Sequence, residues 1–208
     1  MNKMILIAAA IAATPAYAQD GTTFNGFFIG AQTGWQQDQA KIASDSIDED
    51  VSTDGWMYGA QVGYDWRLDR FVIGLEAMIS GSSGSSGFVD NTGASYKLNA
   101  GTTWGFSTRA GYLVSDPLLL YARLGYSWAS YNYVLNQSIE ESYNQDGITV
   151  GFGGEYQLSP SFSVRLEWNY ADFGSNTFQR PAAPPVVYLP QELKFERMGV
   201  SLGVNYRF

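Results

Sequence analysis

The chain contains no cysteine and no histidine. Without cysteine there is no disulfide scaffold, no thiol nucleophile and no thiolate metal site. Without histidine there is no imidazole base, no Ser-His triad and no His-ligated metal. Charge is scarce too: only 15% of the 208 residues are charged, against roughly 25% in a typical soluble domain. Basic residues are the scarcer kind, 12 Lys and Arg against 20 Asp and Glu, for a net charge of -8. A nucleic-acid binder needs a basic face, so that class is excluded. What is plentiful is apolar and aromatic: 45% apolar residues, 15% aromatics and 23 glycines. This combination describes a β protein in an apolar solvent better than a soluble enzyme.

Residues 1–18 read as a secretory signal peptide. Lys3 is the basic start, Met4 to Ala13 an apolar run too short to span a membrane, and Ala16-Tyr17-Ala18 the small-x-small site. Cleavage is expected before Gln19, leaving 19–208 as one domain. No other stretch is apolar and long enough for a transmembrane helix. An exported chain of this kind that enters a membrane must do so as a closed barrel.

Eight blocks alternate apolar and polar residues with period two. Tyr58, Ala60, Val62, Tyr64 and Trp66 alternate with Gly59, Gln61, Gly63 and Asp65; Phe162, Val164, Leu166 and Trp168 alternate with Ser163, Arg165 and Glu167. The other six blocks, beginning near 26, 71, 104, 120, 148 and 197, behave alike. Each predicts a strand with one apolar and one polar face. Leu68-Asp69-Arg70, Ser115-Asp116-Pro117 and Ser159-Pro160-Ser161 read as tight turns. Long polar connections are expected near 37–54, 82–101, 132–146 and 174–194. Short turns at one rim and long loops at the other predict an all-β fold, an eight-stranded antiparallel up-and-down transmembrane β-barrel.

A lipocalin-like barrel would turn the apolar face inward, a membrane barrel outward. The polar face mixes many glycines with long charged residues, which is how a narrow lumen is filled. Trp35, Trp56, Trp66, Trp104, Trp128 and Trp168 sit on the apolar face near strand ends, as interfacial aromatic girdles do. The interior polar network is expected to hold Asp65, Glu76, Arg109, Arg123, Glu155, Arg165, Glu167 and Arg197, with Arg67 and Arg207 on the same face. Glu76, Arg109, Arg123 and Glu167 fall at similar depth, which suggests a ring with Glu76 facing Arg109. Glu155 and Arg165 fall lower, on neighbouring strands. Such a network predicts a plugged lumen; a gated ion path is the alternative. No catalytic, cofactor-binding or metal residues are expected. The acidic stretch Asp48-Glu49-Asp50 lacks the spacing of a calcium loop and reads as solvated surface.

Several segments carry a resemblance. Gly59-Ala60-Gln61-Val62-Gly63-Tyr64-Asp65-Trp66, Ile73-Gly74-Leu75-Glu76, Thr108-Arg109-Ala110-Gly111-Tyr112, Leu120-Tyr121-Ala122-Arg123-Leu124-Gly125 and Val164-Arg165-Leu166-Glu167-Trp168 follow one another in order. With the ending Gly203-Val204-Asn205-Tyr206-Arg207-Phe208, the chain resembles the small eight-stranded porin-family surface proteins of alphaproteobacteria. It is similar also to the barrel of OmpA and to the opacity proteins. The resemblance implies an outer-membrane location amid lipid and lipopolysaccharide, and a terminal signal at Tyr206 and Phe208 read by the barrel-assembly machinery. It implies a structural, non-catalytic role, with a small-solute porin or an adhesin as alternatives. A monomer is the expected state, and no partner is named.

Overall fold

The structure is a computed structural model that describes residues 23–44, 47–83, 85–89, 95–135, 139–178 and 191–208. Their side chains are described over 23–39, 52–83, 101–130, 144–174 and 195–208. The expected signal peptide, residues 1–18, lies outside the described residues.

Nine strands form one antiparallel sheet: β1 (Gly26–Ser44), β2 (Ile47–Leu68), β3 (Phe71–Ser82), β4 (Ser85–Val89), β5 (Ser95–Ser115), β6 (Leu118–Leu135), β7 (Ile139–Gln157), β8 (Phe162–Phe178) and β9 (Gln191–Arg207). β3 and β4 both pair with β5 and are two segments of one stave. β9 pairs back onto β1. The sheet is therefore a closed eight-stave barrel without a free edge, which is the condition for putting strands into lipid.

The register fixes the shape. Stepping across Cα partners from Gly26 leads to Asp65, Gly74, Arg109, Arg123, Gly151, Asn169 and Gly199, and returns to β1 at Gln36. The circuit climbs from residue 26 to residue 36 on its own starting strand. With a rise of about 3.3 Å per residue and about 4.8 Å between strands, that offset tilts the staves by about 41°. The backbone cylinder then has a radius of about 8 Å, wide enough only for inward side chains.

The alternation read from the sequence decides what faces out. Trp35, Tyr58, Phe71, Leu75, Phe106, Leu124, Phe152 and Leu166 are exposed on the outer wall, while Gln61, Asp65, Glu76, Arg109 and Glu167 are buried in the lumen. No helix among the described residues could cross a membrane, and the strands carry the apolar band instead. Glycine makes room for packed side chains in the lumen at Gly63 and Gly74. A Cβ on Gly63 would meet the Phe28 ring at 2.5 Å, and one on Gly74 would strike the Asp65 carboxylate.

Of the long polar connections predicted at 37–54, 82–101, 132–146 and 174–194, the described residues are almost all strand. β1 runs on to Ser44 and β2 begins at Ile47; β6 runs to Leu135 and β7 begins at Ile139. Polarity had marked these stretches as loops. Backbone pairing does not depend on side-chain polarity, and hairpins continue their ladder beyond the apolar band. Small irregularities interrupt it between Ala100 and Thr103, Leu113 and Ser115, and Asp172 and Ser175. In the last of these Gly174 takes φ +70 and donates its N–H to Asp172 Oδ1 at 2.9 Å.

Candidate functional site

Among the described residues, the buried charged side chains lie in the lumen, stacked in tiers from the short-turn end upward. The floor is apolar. Phe24, Val72, Leu113, Leu119 and Tyr121 form one buried cluster.

Above the floor, four charges come from alternate staves: Asp65 on β2, Arg109 on β5, Glu155 on β7 and Arg207 on β9. They close into a ring. Arg109 pairs with Asp65 and, at 2.7 Å, with Glu155. Arg207 pairs with Asp65 at 2.8 Å and with Glu155 at 3.7 Å. Acid and base thus alternate around a neutral square. The four come from every second stave, and Arg109, whose Cα stands higher than that of Asp65, leans down to complete the square. Phe28 lies among the four, with the Arg109 and Arg207 guanidinium groups 4.8 Å and 5.2 Å from its ring centre. Ser163 and Asn205 donate to Glu155 at 2.5 Å and 3.0 Å. Gln61 donates to Asn205 at 2.8 Å.

The next tier uses the intervening staves. Glu76 on β3 takes Arg123 of β6 at 2.9 Å and Arg165 of β8 at 2.6 Å. Arg123 continues to Glu167 at 2.7 Å. Tyr121 donates to Glu167 at 2.9 Å, and Arg165 to Gln32 at 3.0 Å. Two acids and two bases again cancel. Burying charges is costly unless each is paired and hydrogen-bonded, and each of the four lumen carboxylates in these tiers is engaged by at least one arginine. None stands as a free general base.

Above this tier several inward residues are small, and a cavity of about 40 Å³ opens between Arg123 and Arg197, lined by Ser80, Ser127, Thr149 and Asn169 together with Gln36 and Met57. That is room for roughly three water molecules. Arg197 covers it. Its Nε donates to Asp38 at 2.5 Å and its Nη1 to Thr103 at 3.0 Å, with the guanidinium 5.3 Å over the Phe173 ring.

The eight residues expected in the polar network are all buried and inward, but their partners differ from the sequence expectation. Arg109 turns down to Asp65 and Glu155 rather than across to Glu76, whose partners are Arg123 and Arg165. Glu155 and Arg165 are Cα partners on adjacent staves, yet each reaches to a different tier. Strand position sets the depth of a Cα, and a long arginine then leans up or down by a full level. Asp38, at the start of the polar connection expected at 37–54, is the partner of Arg197. Phe28, Tyr121 and Gln32 were missed as lumen groups although their parity placed them there. Phe24 lies outside any strand and has no periodic signal.

The tryptophans all lie on the outer wall. Trp35 and Trp56 are Cα partners with an edge-to-face contact, and Trp104 and Trp128 stack at 4.3 Å. With the tilt included, these four stand about 20–25 Å above Trp66. Trp168, against Phe152, stands about 15 Å above Trp66, inside the apolar band rather than at its rim. At the short-turn end Phe208 packs on Phe27 and Tyr206, and its N–H donates to Phe27 O at 3.0 Å.

The fold is shared with solved outer-membrane barrels. Neisserial surface protein A is 17% identical, with 88% of this chain and 98% of that chain covered and a TM-score of 0.55. Pseudomonas aeruginosa OprG is 13% identical, with 90% and 98% covered and a TM-score of 0.55. In sequence the chain is similar to the 31 kDa outer-membrane immunogenic protein of Brucella melitensis, 25% identical over 91% of this chain and 85% of that one. It is also similar to the 22 kDa outer membrane protein of Rhizobium leguminosarum bv. viciae, 30% identical over 73% of this chain and 66% of that one. The family described as the outer membrane protein beta-barrel domain matches residues 6–208, nearly the whole length, and this chain belongs to it.

Proposed function

We propose that this protein is a structural, non-catalytic barrel of the outer membrane that supports envelope integrity and presents its long hairpins at the cell surface. The observation that carries this reading is the filled lumen. Two neutral ion tiers stand on an apolar floor across a cylinder too narrow for more than its own side chains. Solute has no continuous path. The outer wall suits lipid along the staves and lipopolysaccharide at the long-hairpin rim. Export by a signal peptide cleaved before Gln19, delivery through the barrel-assembly machinery by way of Tyr206 and Phe208, and a monomeric state belong to the same reading. The Brucella relatives are named as immunogenic, which supports surface presentation of the hairpins and keeps an adhesin role as the second reading.

Planar-bilayer recording of the refolded protein tests the proposal. A plugged barrel gives no steady current, only rare brief openings. Large, stable currents would replace this reading with that of a small-solute porin.

A further inference from the structure

The floor of the lumen is made in part by a residue that no strand carries. Phe24 precedes β1, yet its side chain is fully buried. Its pocket is formed by Val72 of β3, Leu113 of β5, and Leu119 and Tyr121 of β6. β6 is the fourth stave on from β1, so the segment crosses the mouth to the opposite wall. Arg207, a member of the lower ion ring, lies 5.7 Å over the Phe24 ring. The backbone at Phe24 has φ +58. A bulky residue takes that conformation only where its surroundings over-determine it.

The flanking residues are tied on both sides of the mouth. Thr23 Oγ1 donates to the Asp116 carbonyl of the β5–β6 turn at 2.9 Å. Arg67, at the end of β2, donates through Nη1 to Thr23 O at 3.2 Å and to Thr23 Oγ1 at 2.6 Å. Its own N–H donates to Asn25 Oδ1 at 3.2 Å.

We infer that residues 23–25 form a strap that closes the short-turn end of the lumen, with Phe24 as a removable cork over the lower ion ring. The strap is attached by one ring and four hydrogen bonds, two exposed and two part-buried, whereas the staves around it are held by continuous ladders. Segments held in this way open at lower free energy than the structure as a whole. Its opening would bring water to the buried ring of Asp65, Arg109, Glu155 and Arg207, and its closure keeps that ring dry. The inference rests on the filled-lumen reading above, in which the ring beneath the strap is part of the plug.

The absence of native cysteine allows a direct test by thiol labelling. Val72→Cys, at the floor, and Ser127→Cys, beside the cavity, are introduced separately and labelled with a charged maleimide in detergent. Folding is verified by heat-shifted gel mobility. With the strap intact, Val72→Cys labels slowly. Phe24→Ala raises its rate by about a hundredfold or more, the size of effect that losing a packed aromatic gives. Phe24→Leu restores most of the protection. Arg67→Gln raises the rate more modestly and serves as the opening variant if Phe24→Ala does not assemble. Equal labelling of Val72→Cys with and without these changes, or fast labelling with the strap intact, overturns the strap. Ser127→Cys separates the two readings. It stays slow in every strap variant if the ion tiers plug the lumen. If it labels together with Val72→Cys once the strap is cut, the tiers are no plug and the filled-lumen reading fails, while the strap stands as the seal.

Discussion

Arg165 and Glu76 stand on opposite walls of the barrel, four staves apart, and meet at 2.6 Å across the full width of the lumen. A single ion pair thus braces the cylinder, and Glu76 holds Arg123 at the same time. Removing Glu76 leaves two buried guanidinium groups short of a partner. Glu76→Ala is expected to destabilise the barrel by about 3–5 kcal/mol, the usual penalty for breaking a buried pair from one side. In double-mutant cycles Glu76 should couple to Arg165 by more than about 1 kcal/mol, because the second change removes an orphaned charge. Glu76 and Arg109, which share no direct bond, should couple more weakly than Glu76 and Arg165. Urea unfolding of the refolded variants measures all of these. Additivity of Glu76 with Arg165 would mean that the cross-lumen pair contributes nothing.

The tiers and the rim should respond differently to salt. Raising NaCl from about 0.1 M to about 1 M shortens the screening length from about 10 Å to about 3 Å. The ring of Asp65, Arg109, Glu155 and Arg207 is sealed from solvent, so its contribution should hold, and the unfolding midpoint should change little beyond the general effect of salt. Arg67 and Asp116 meet at 3.7 Å with the Asp116 side chain 89% exposed. Asp116→Asn is expected to cost within about 0.5 kcal/mol at either salt level, as exposed pairs do. A midpoint that collapses at high salt would show that water already reaches the ring.

How much of this was legible beforehand differs by layer. The period-two alternation locates the eight staves and, because parity in a strand is set by the backbone alone, places Asp65, Glu76, Arg109, Arg123, Glu155, Arg165, Glu167 and Arg197 on the inward face, though it leaves out Asp38. Depth was legible as well: Glu76, Arg109, Arg123 and Glu167 do have Cα atoms at similar height. Partnership was not. It depends on which way each guanidinium leans, and that is decided by glycines such as Gly74 and by rings such as Phe28, which occupy or vacate the space beside it. The strap was invisible for another reason, since Phe24 belongs to no repeating pattern, and only the closed mouth gives its ring a place to go. The strands run longer than their polarity predicts, because pairing continues past the apolar band.

Phe208 closes the last stave onto the first at the outer wall, through its N–H to Phe27 O and its ring against Phe27 and Tyr206. Phe208→Asp places a charge at that seam and removes the terminal aromatic. The variant is expected to accumulate unassembled in the periplasm, sensitive to protease and without heat-shifted mobility. Phe208→Tyr, which keeps the ring, should assemble. Normal surface exposure of the Asp variant would show that the terminal residue has no part in assembly.

The tryptophans provide a ruler for the membrane. If the apolar outer wall sits in lipid, their depths follow from the register. Trp35, Trp56, Trp104 and Trp128 belong to the long-hairpin rim, Trp66 to the short-turn rim and Trp168 to the interior of the band. Single-tryptophan variants, with the others changed to Phe, can be refolded into vesicles of lipids brominated at defined positions along the acyl chain. Bromine quenches by contact, so each variant reports the depth of one ring. Trp168 should be quenched most by bromines deep in the chain. Trp35 and Trp66 should be quenched most by bromines near the headgroup. The physical reason for the difference is that an indole at the rim keeps its N–H wet while its ring stays apolar, whereas the Trp168 ring is held against Phe152 with a centroid separation of 5.1 Å. Equal quenching of Trp168 and Trp35 at every depth would mean that the barrel is tilted or shifted in the bilayer. No quenching of any of the six would mean that the outer wall does not meet lipid.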